Sequence, residues 1–317
     1  MTAFAQLIVE KTAEYVQFRR GFGLVFTTQA GLLASFQRFV DATDHDGPLT
    51  QHLIVDYLAR RAVTTRTQAK RYAVLRHFAQ YLAVQDPQTE VPDPHGVPSS
   101  RVQPQPRVPD DEELDQLLRA AHVISSRHPF RGETLYTMLG LMASAGLRSG
   151  EVRRLDRDDV DLQTGILLVR QSKFRKDRLV PVHASTQAVL RTYASLRDQI
   201  GARAVSSAFF VNLRGHRLSP SCFGGAFVEA RARAGAGLRP GRPLRPHDLR
   251  HRFATRRMMA WHQEGANVQA LLPVLATYLG HARYSDTAYY IHATPELLAA
   301  AADRYFQSLA RPDGGRA

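Results

Sequence analysis

Cysteine is almost absent from this 317-residue chain, since Cys222 is the only one. A single cysteine excludes an intramolecular disulfide and a zinc site built from cysteines. Long apolar runs are also missing, because no stretch approaches the about 20 residues that cross a bilayer. The start, "MTAFAQLIVEKTAEY", lacks the basic region and apolar run of a secretion signal. We therefore expect a cytoplasmic protein that does not enter a membrane.

Negative charge is scarce as well, with 29 acidic residues against 42 Lys and Arg and a net charge of +13. The imbalance is concentrated at positions 203–257, where twelve arginines face only Glu229 and Asp248. Concentrated arginine offers paired donors to phosphate and attracts polyanions over long range. The excess indicates a nucleic acid partner, and a solvated surface is the alternative.

A proline-rich segment divides the chain. Residues 91–109 hold six prolines and no apolar period, which is typical of an extended linker. Residues 1–90 show helical periods, and the stretch 60–76 contains six Lys or Arg and no acid. The pattern predicts a small helical bundle whose basic face lies along DNA or in water. The candidate DNA contacts on this face are Arg66, Lys70 and Arg71.

Residues 110–317 form the second predicted domain. In "ETLYTMLGLMASAGLRSGEVRRL" one helix ends at Gly146 and a short one follows, capped by Ser149. Arg148 therefore lies in a tight turn between two helices, and Glu151 lies in the second helix.

The period changes in "DVDLQTGILLVRQSKFRKDRLVPV". Residues 166–169 and 179–182 are typical of two β-strands, and the polar turn between them carries Lys173 near its tip. The later segments return to a helical pattern. The predicted fold class is α+β, mainly α with a small antiparallel β-sheet.

The segment "HDLRH" places three side chains on one side of a helix, because His247, Arg250 and His251 are spaced i, i+3 and i+4. Three interpretations are open. Two histidines at this spacing can bind zinc, although Asp248 stands where zinc helices have Glu. Alternatively, Arg250 binds phosphate oxygens while His247 donates a hydrogen bond or moves a proton. Either histidine can also be a core residue.

Four boxes, "AGLRSGE", "SKFRKDRLVPV", "HDLRHRFAT" and "YLGHARYSDTAYYIH", resemble in order and spacing those of tyrosine recombinases, the phage-type integrases. The resemblance extends from Pro109 to about Tyr305. It implies a catalytic domain over residues 110–317, including a C-terminal tail, and a core-binding, SAM-like domain over residues 1–90. It also implies that the two domains form a C-shaped clamp around DNA.

The resemblance assigns roles to the cationic residues. Arg148 and Arg250 match the two arginines that bind the phosphate, and Lys173 matches the hairpin lysine that protonates the departing 5′ oxygen. Lys176 competes for that role, but the family pattern puts the catalytic lysine first. His247 corresponds to a base or hydrogen-bond donor.

The remaining roles fall at the end of the resemblance. His281 corresponds to a second donor to the phosphate, and Glu151 to a supporting acid. In the family the nucleophile lies nine residues after the Gly-His histidine and two before another histidine. Tyr290 satisfies both conditions, since His292 follows it, which leaves Tyr289 as a packing residue.

The chain is therefore predicted to be a site-specific recombinase, and "LP" before "YLGH" favours recombinases of transposons and other mobile elements. It would act through a 3′-phosphotyrosyl intermediate without cofactor, metal or ATP. The expected partners are double-stranded recombination sites, contacted also by Arg245, and further copies in a homotetramer or sister recombinases. The expected location is the cytoplasm, at the nucleoid. The alternatives are a type IB topoisomerase, a non-catalytic architectural DNA-binding protein and a zinc-dependent hydrolase.

Overall fold

The computed structural model describes residues 2–60, 62–98, 107–125, 128–170, 177–200, 206–235, 238–281, 283 and 285–288. The chain forms two compact units, Met1–Pro104 and Gln105–Ala317. Among the described helices, none has the length and apolar character needed to span a membrane.

Unit 1 consists of helices in the part that the structure describes: α1 (Ala3–Gly21), α2 (Thr27–Ala42), α3 (Gln51–Ala59) and α4 (Thr65–Leu82). Threonine side chains accept hydrogen bonds at the N-termini of α1, α3 and α4, which satisfies amide groups that have no partner within the helix. Phe36 and Phe78 are fully buried in the core between the helices. The basic face lies on α4, where Arg66 and Lys70 are exposed and Arg71 is half-buried.

Part of the proline-rich segment packs against unit 1. The Tyr72 hydroxyl donates to the carbonyl of Asp93 at 2.7 Å, and Nε of Arg76 donates to the carbonyl of Pro92 at 2.8 Å. Val97 belongs to the core of this unit. Arg76 therefore stabilises the unit through its backbone contact, although the sequence groups it with the basic face.

Unit 2 surrounds a second core with helices: α5 (Asp111–His122), α6 (Pro129–Ala145), α7 (Ser149–Arg154), α8 (Ala184–Ile200), α9 (Pro220–Ala234), α10 (Pro246–Gln263), α11 (Val268–Leu279) and α12 (Ser285–Ala288). Helix α6 is apolar around most of its circumference because it lies at the centre and packs against α5, α8 and α10. A reciprocal capping box of Asp110 and Glu113 begins α5.

Three antiparallel strands lie beside the helices in the order β1 (Val160–Asp161), β2 (Ile166–Val169) and β3 (Arg178–Pro181). Leu167 pairs with Val180, and both are fully buried. The predicted fold class is confirmed, and β2 has the predicted bounds. Strand β3 begins one residue earlier than expected, at Arg178. Lys173 and Lys176 lie outside the described residues.

Candidate active site

Two helix C-termini frame the site. Helix α6 ends before Gly146 and α11 ends before Gly280, and both glycines adopt left-handed conformations with φ of 64° and 67°. The N–H of His281 donates to the carbonyl of Ala276 at 2.9 Å, which closes the end of α11 as in a Schellman motif. A Cβ at Gly146 would lie 2.5 Å from the ring of Phe253, so only glycine fits there. These two turns position Arg148 and His281.

Arg250 joins the two ends. It lies on α10 and is completely buried. Its Nη1 donates to the carbonyl of Gly146 at 2.8 Å, and its Nη2 donates to the carbonyl of Leu279 at 2.6 Å. Carbonyls at helix C-termini carry partial negative charge and need donors, so the guanidinium group satisfies both helices.

Glu151 lies at the centre of the cluster and is almost completely buried. Its Oε1 accepts from Nη1 of Arg148 at 2.7 Å, and its Oε2 accepts from the backbone N–H of Arg148 at 2.9 Å. Nη1 of Arg250 is 3.9 Å from Oε2. Burial alone would raise the pKa of Glu151, but the hydrogen bonds and charge of Arg178 and the contacts of Arg148 lower that pKa to about 2. Glu151 is therefore a fixed anion at neutral pH.

Arg178 is a member of the cluster that the sequence did not reveal. Its Nη1 and Nη2 donate to the two oxygens of Glu151 at 3.1 and 2.9 Å, and its Nε donates to the carbonyl of Tyr278 at 2.8 Å. Its position at the start of a strand, after a basic turn in the sequence, could have drawn attention to Arg178, but such a position does not specify a partner. Three guanidinium groups thus surround one carboxylate, and the cluster keeps a surplus of positive charge.

Two imidazoles complete the described site. Burial and the charges of Arg250 and Arg148 lower the pKa of His247 to about 4 and the pKa of His281 to about 3. Both are consequently neutral at pH 7 and can donate or accept a hydrogen bond. Nδ1 of His281 is 2.7 Å from the hydroxyl oxygen of Thr287. His247 is packed among these cations but keeps part of its surface exposed at the start of α10, where a ligand can reach it.

Tyr278 can be set aside as a nucleophile. Its hydroxyl donates to the carbonyl of Pro181 at 3.1 Å, and its ring stacks on Phe253. Burial raises the pKa of Tyr278 to about 12, so its phenol resists ionisation. Tyr289 and Tyr290 lie outside the described residues, as does His292, and the choice of Tyr290 stays a prediction.

In the structure, the two histidines of "HDLRH" on which the zinc interpretation rests contact each other. The rings of His247 and His251 meet edge to face, with centroids 4.7 Å apart. Within the described ranges, no three His, Cys, Asp or Glu side chains lie close enough together to hold a metal ion. Arg250, between the two histidines in sequence, binds the helix ends described above.

The arginine-rich segment 203–257 is not the continuous row of unpaired charges that its composition indicates. Several of its arginines form ion pairs inside unit 2: Arg217 with Asp156, Arg239 with Glu113, Arg242 with Asp248, and both Arg252 and Arg256 with Asp111. These pairs join α5 to α10 and tie both helices and the segment after α7 to neighbouring loops. Arg245 is mostly exposed at the N-terminus of α10 and remains a candidate DNA contact.

The fold of the chain is similar to that of a solved transposon integrase. The Tn1549 transposon integrase, in complex with transposon right end DNA, is 17% identical and has a TM-score of 0.66, over 94% of this chain and 98% of the other. At this identity the likeness establishes the fold alone.

The sequence comparisons identify the family of this chain. An integrase/recombinase of Sinorhizobium fredii is 51% identical over the whole of both chains. Tyrosine recombinase XerC of Azotobacter vinelandii is 34% identical over 76% of this chain and 74% of its own length. The model described as "Phage integrase family" matches residues 108–296. The chain therefore belongs to the phage integrase family and is a tyrosine recombinase.

Proposed function

We propose that the chain is a site-specific DNA recombinase of a mobile genetic element, with Tyr290 as its nucleophile. The phenol oxygen attacks a backbone phosphate, forms a 3′-phosphotyrosyl bond and displaces the 5′ oxygen. The 5′ hydroxyl of a partner strand then attacks that bond, restores the phosphodiester and releases Tyr290. Each step exchanges one phosphoester for another, so the reaction needs no ATP.

The observation that supports this proposal most directly is the arrangement of Arg148 and Arg250 around the buried Glu151. The pentavalent phosphate of the transition state carries extra negative charge, which preorganised guanidinium groups stabilise without deprotonating. Arg148 keeps a quarter of its side chain exposed and can reach a ligand, while Arg250 fixes the surrounding backbone.

The other proposed roles concern hydrogen bonds to the phosphate and the transfer of protons. Neutral His247 and His281 hydrogen-bond the phosphate oxygens, and His247 can accept a proton from the attacking phenol. Lys173 protonates the departing 5′ oxygen. Glu151 does not exchange protons at neutral pH, because its pKa is about 2, and it orients Arg148 instead.

The proposed partners are double-stranded recombination sites and further recombinase subunits. Unit 1 serves as the core-binding domain and contacts DNA through the basic face of α4, with Arg66, Lys70 and Arg71, while Arg245 contacts it from unit 2. Strand exchange between two sites requires four active subunits, so we propose a homotetramer or a co-assembly with sister recombinases. The protein would then act in the cytoplasm, at the nucleoid.

A covalent trap tests the nucleophile. The tagged protein is incubated with genomic DNA of the source organism, and DNA that stays attached in denaturant is sequenced to find the site. A nicked duplex of that site then prevents religation and accumulates the adduct. We expect an adduct with wild type and Tyr289→Phe, in the presence of EDTA, and none with Tyr290→Phe. An adduct retained by Tyr290→Phe contradicts the assignment.

The same duplex tests the phosphate role. Arg148→Ala should abolish cleavage while most binding remains, because the basic faces supply most of the affinity. Equal loss of binding and cleavage contradicts a transition-state role for Arg148.

A further inference from the structure

We propose that Arg178 is a positioning residue of this site: by holding both oxygens of Glu151, it keeps the guanidinium group of Arg148 available to the phosphate and leaves that of Arg250 on the carbonyls of the two helix ends. This inference rests on the proposed function. Arg178 itself is nearly buried and need not touch DNA.

The first argument is the distribution of donors on Glu151. Each carboxylate oxygen accepts one hydrogen bond from Arg178 and one from Arg148. Without Arg178, a buried carboxylate would lack two donors, which is costly. Arg250 is the nearest replacement, since its Nη1 is already 3.9 Å from Oε2. Moving it closer would break its bond to Gly146 and shift the end of α6, which leads to Arg148.

The second argument is the link from Arg178 to the other side of the site. Its Nε donates to the carbonyl of Tyr278, in the last turn of α11. The guanidinium group also packs against Gly280, where a Cβ would lie 2.8 Å from Nη1. Arg178 therefore fixes both the carboxylate that binds Arg148 and the turn that carries His281. The strand follows directly after the segment that carries Lys173.

The charged groups around Glu151 determine its pKa and therefore how the cleavage rate depends on pH. Arg148 faces Glu151 from the turn before α7, Arg178 from β3 and Arg250 from α10, with His247 and His281 near the arginines. On another side Glu151 lines a polar cavity of about 290 Å³ whose charged members are Arg154, Asp156, Asp159, Arg170 and Arg217. Arg178 is the largest favourable influence on the Glu151 carboxylate, so its removal should raise the pKa of Glu151.

Single-turnover cleavage of the nicked duplex tests the proposal. We expect Arg178→Met to slow cleavage by about 100-fold, since small misplacements of reacting groups have effects of this size. The binding constant should change by less than about three-fold. Arg178→Lys should restore part of the rate, because an ammonium group keeps the positive charge and can donate to Glu151 but lacks the fork that binds both carboxylate oxygens. Arg119→Met removes an exposed arginine paired with Asp115 and should stay within about two-fold of wild type.

A double variant separates positioning from a general loss of structure. Most of the proposed effect of Arg178 runs through Glu151, so Arg178→Met should slow the Glu151→Gln protein far less than it slows wild type. At low pH, the fall in cleavage rate should begin at a higher pH in Arg178→Met than in wild type. This shift should be smaller in the Glu151→Gln background, where only the influence of Arg178 on His281 remains. Fully multiplying effects on the rate, or a pH shift of the same size without the carboxylate, would overturn the proposal.

Two readouts distinguish this proposal from the proposed function. If wild type forms no adduct, the proposed recombinase function is refuted. The role of Arg178 can still be tested by titrating inorganic sulfate and following the NMR signal of the His281 imidazole. Arg178→Met should then weaken sulfate binding at least about five-fold, as expected for a disturbed anion site. Unchanged sulfate binding, or cleavage equal to that of wild type, refutes the positioning role alone.

Discussion

The two arginines assigned to the phosphate should differ sharply in their contribution to folding. Arg250 is completely buried, and its two hydrogen bonds join the ends of α6 and α11. Arg148 keeps 25% of its side chain exposed and shares the Glu151 carboxylate with Arg178. We predict that Arg250→Met destabilises unit 2 much more than Arg148→Met does.

The magnitude follows from what each substitution leaves behind. Arg250→Met strands two buried carbonyls and removes one cation from beside Glu151, and breaking a buried charged contact of this kind costs about 3–5 kcal/mol. Arg148→Met leaves Glu151 paired with Arg178, so we expect a loss of about 1–2 kcal/mol. With a urea dependence of about 2 kcal/mol per molar, Arg250→Met should lower the midpoint by roughly 1.5–2.5 M.

The chain supplies its own probe for this measurement. Trp261 is the only tryptophan and lies on α10, in the same helix as Arg250, so its fluorescence follows the unfolding of unit 2. Arg257→Met replaces an exposed arginine of the same helix and serves as the control. It should change the free energy of unfolding by no more than about 0.5 kcal/mol. Equal destabilisation by Arg250→Met and Arg148→Met would refute the structural role assigned to Arg250.

Three further predictions concern the same site. Gly280→Ala should slow cleavage at least about ten-fold and cost about 1–2 kcal/mol, measured by Trp261 fluorescence, because φ is 67° and the new Cβ would press on Arg178; wild-type rates would contradict this. His247 and His281 should stay neutral by NMR down to about pH 5. Since both pKa values are lowered on folding, the unfolded chain takes up more protons, and stability should be complete above pH 6.5 and fall towards pH 4; imidazole titration near pH 6.5 would count against it. Tyr278→Phe should retain adduct formation and cost about 1 kcal/mol, because it loses only a hydroxyl bonded to β3; loss of the adduct would show that Tyr278 does more than pack.

Local sequence was sufficient for much of the fold. The change from a helical to an alternating apolar period predicted β2 with its observed bounds, and glycine at position 146 predicted the end of α6. The order of the four boxes indicated the family, which the comparisons confirm. The strand and the helix end depend on neighbours a few residues apart, where backbone geometry and side-chain spacing decide the outcome.

The partners of the charged side chains were decided by tertiary structure. Composition indicated that the arginines of 203–257 form one anion-binding surface, but packing places acids beside several of them, such as Asp111 of α5 and Asp156 in the segment after α7. Arg178 meets Glu151 across 27 positions, and Arg250 meets Gly146 across 104. The sequence by itself determined which cations and turns the chain possesses. Which cation serves the phosphate and which supports the fold depends on distances between remote elements, because a guanidinium group binds whichever oxygen packing brings within about 3 Å.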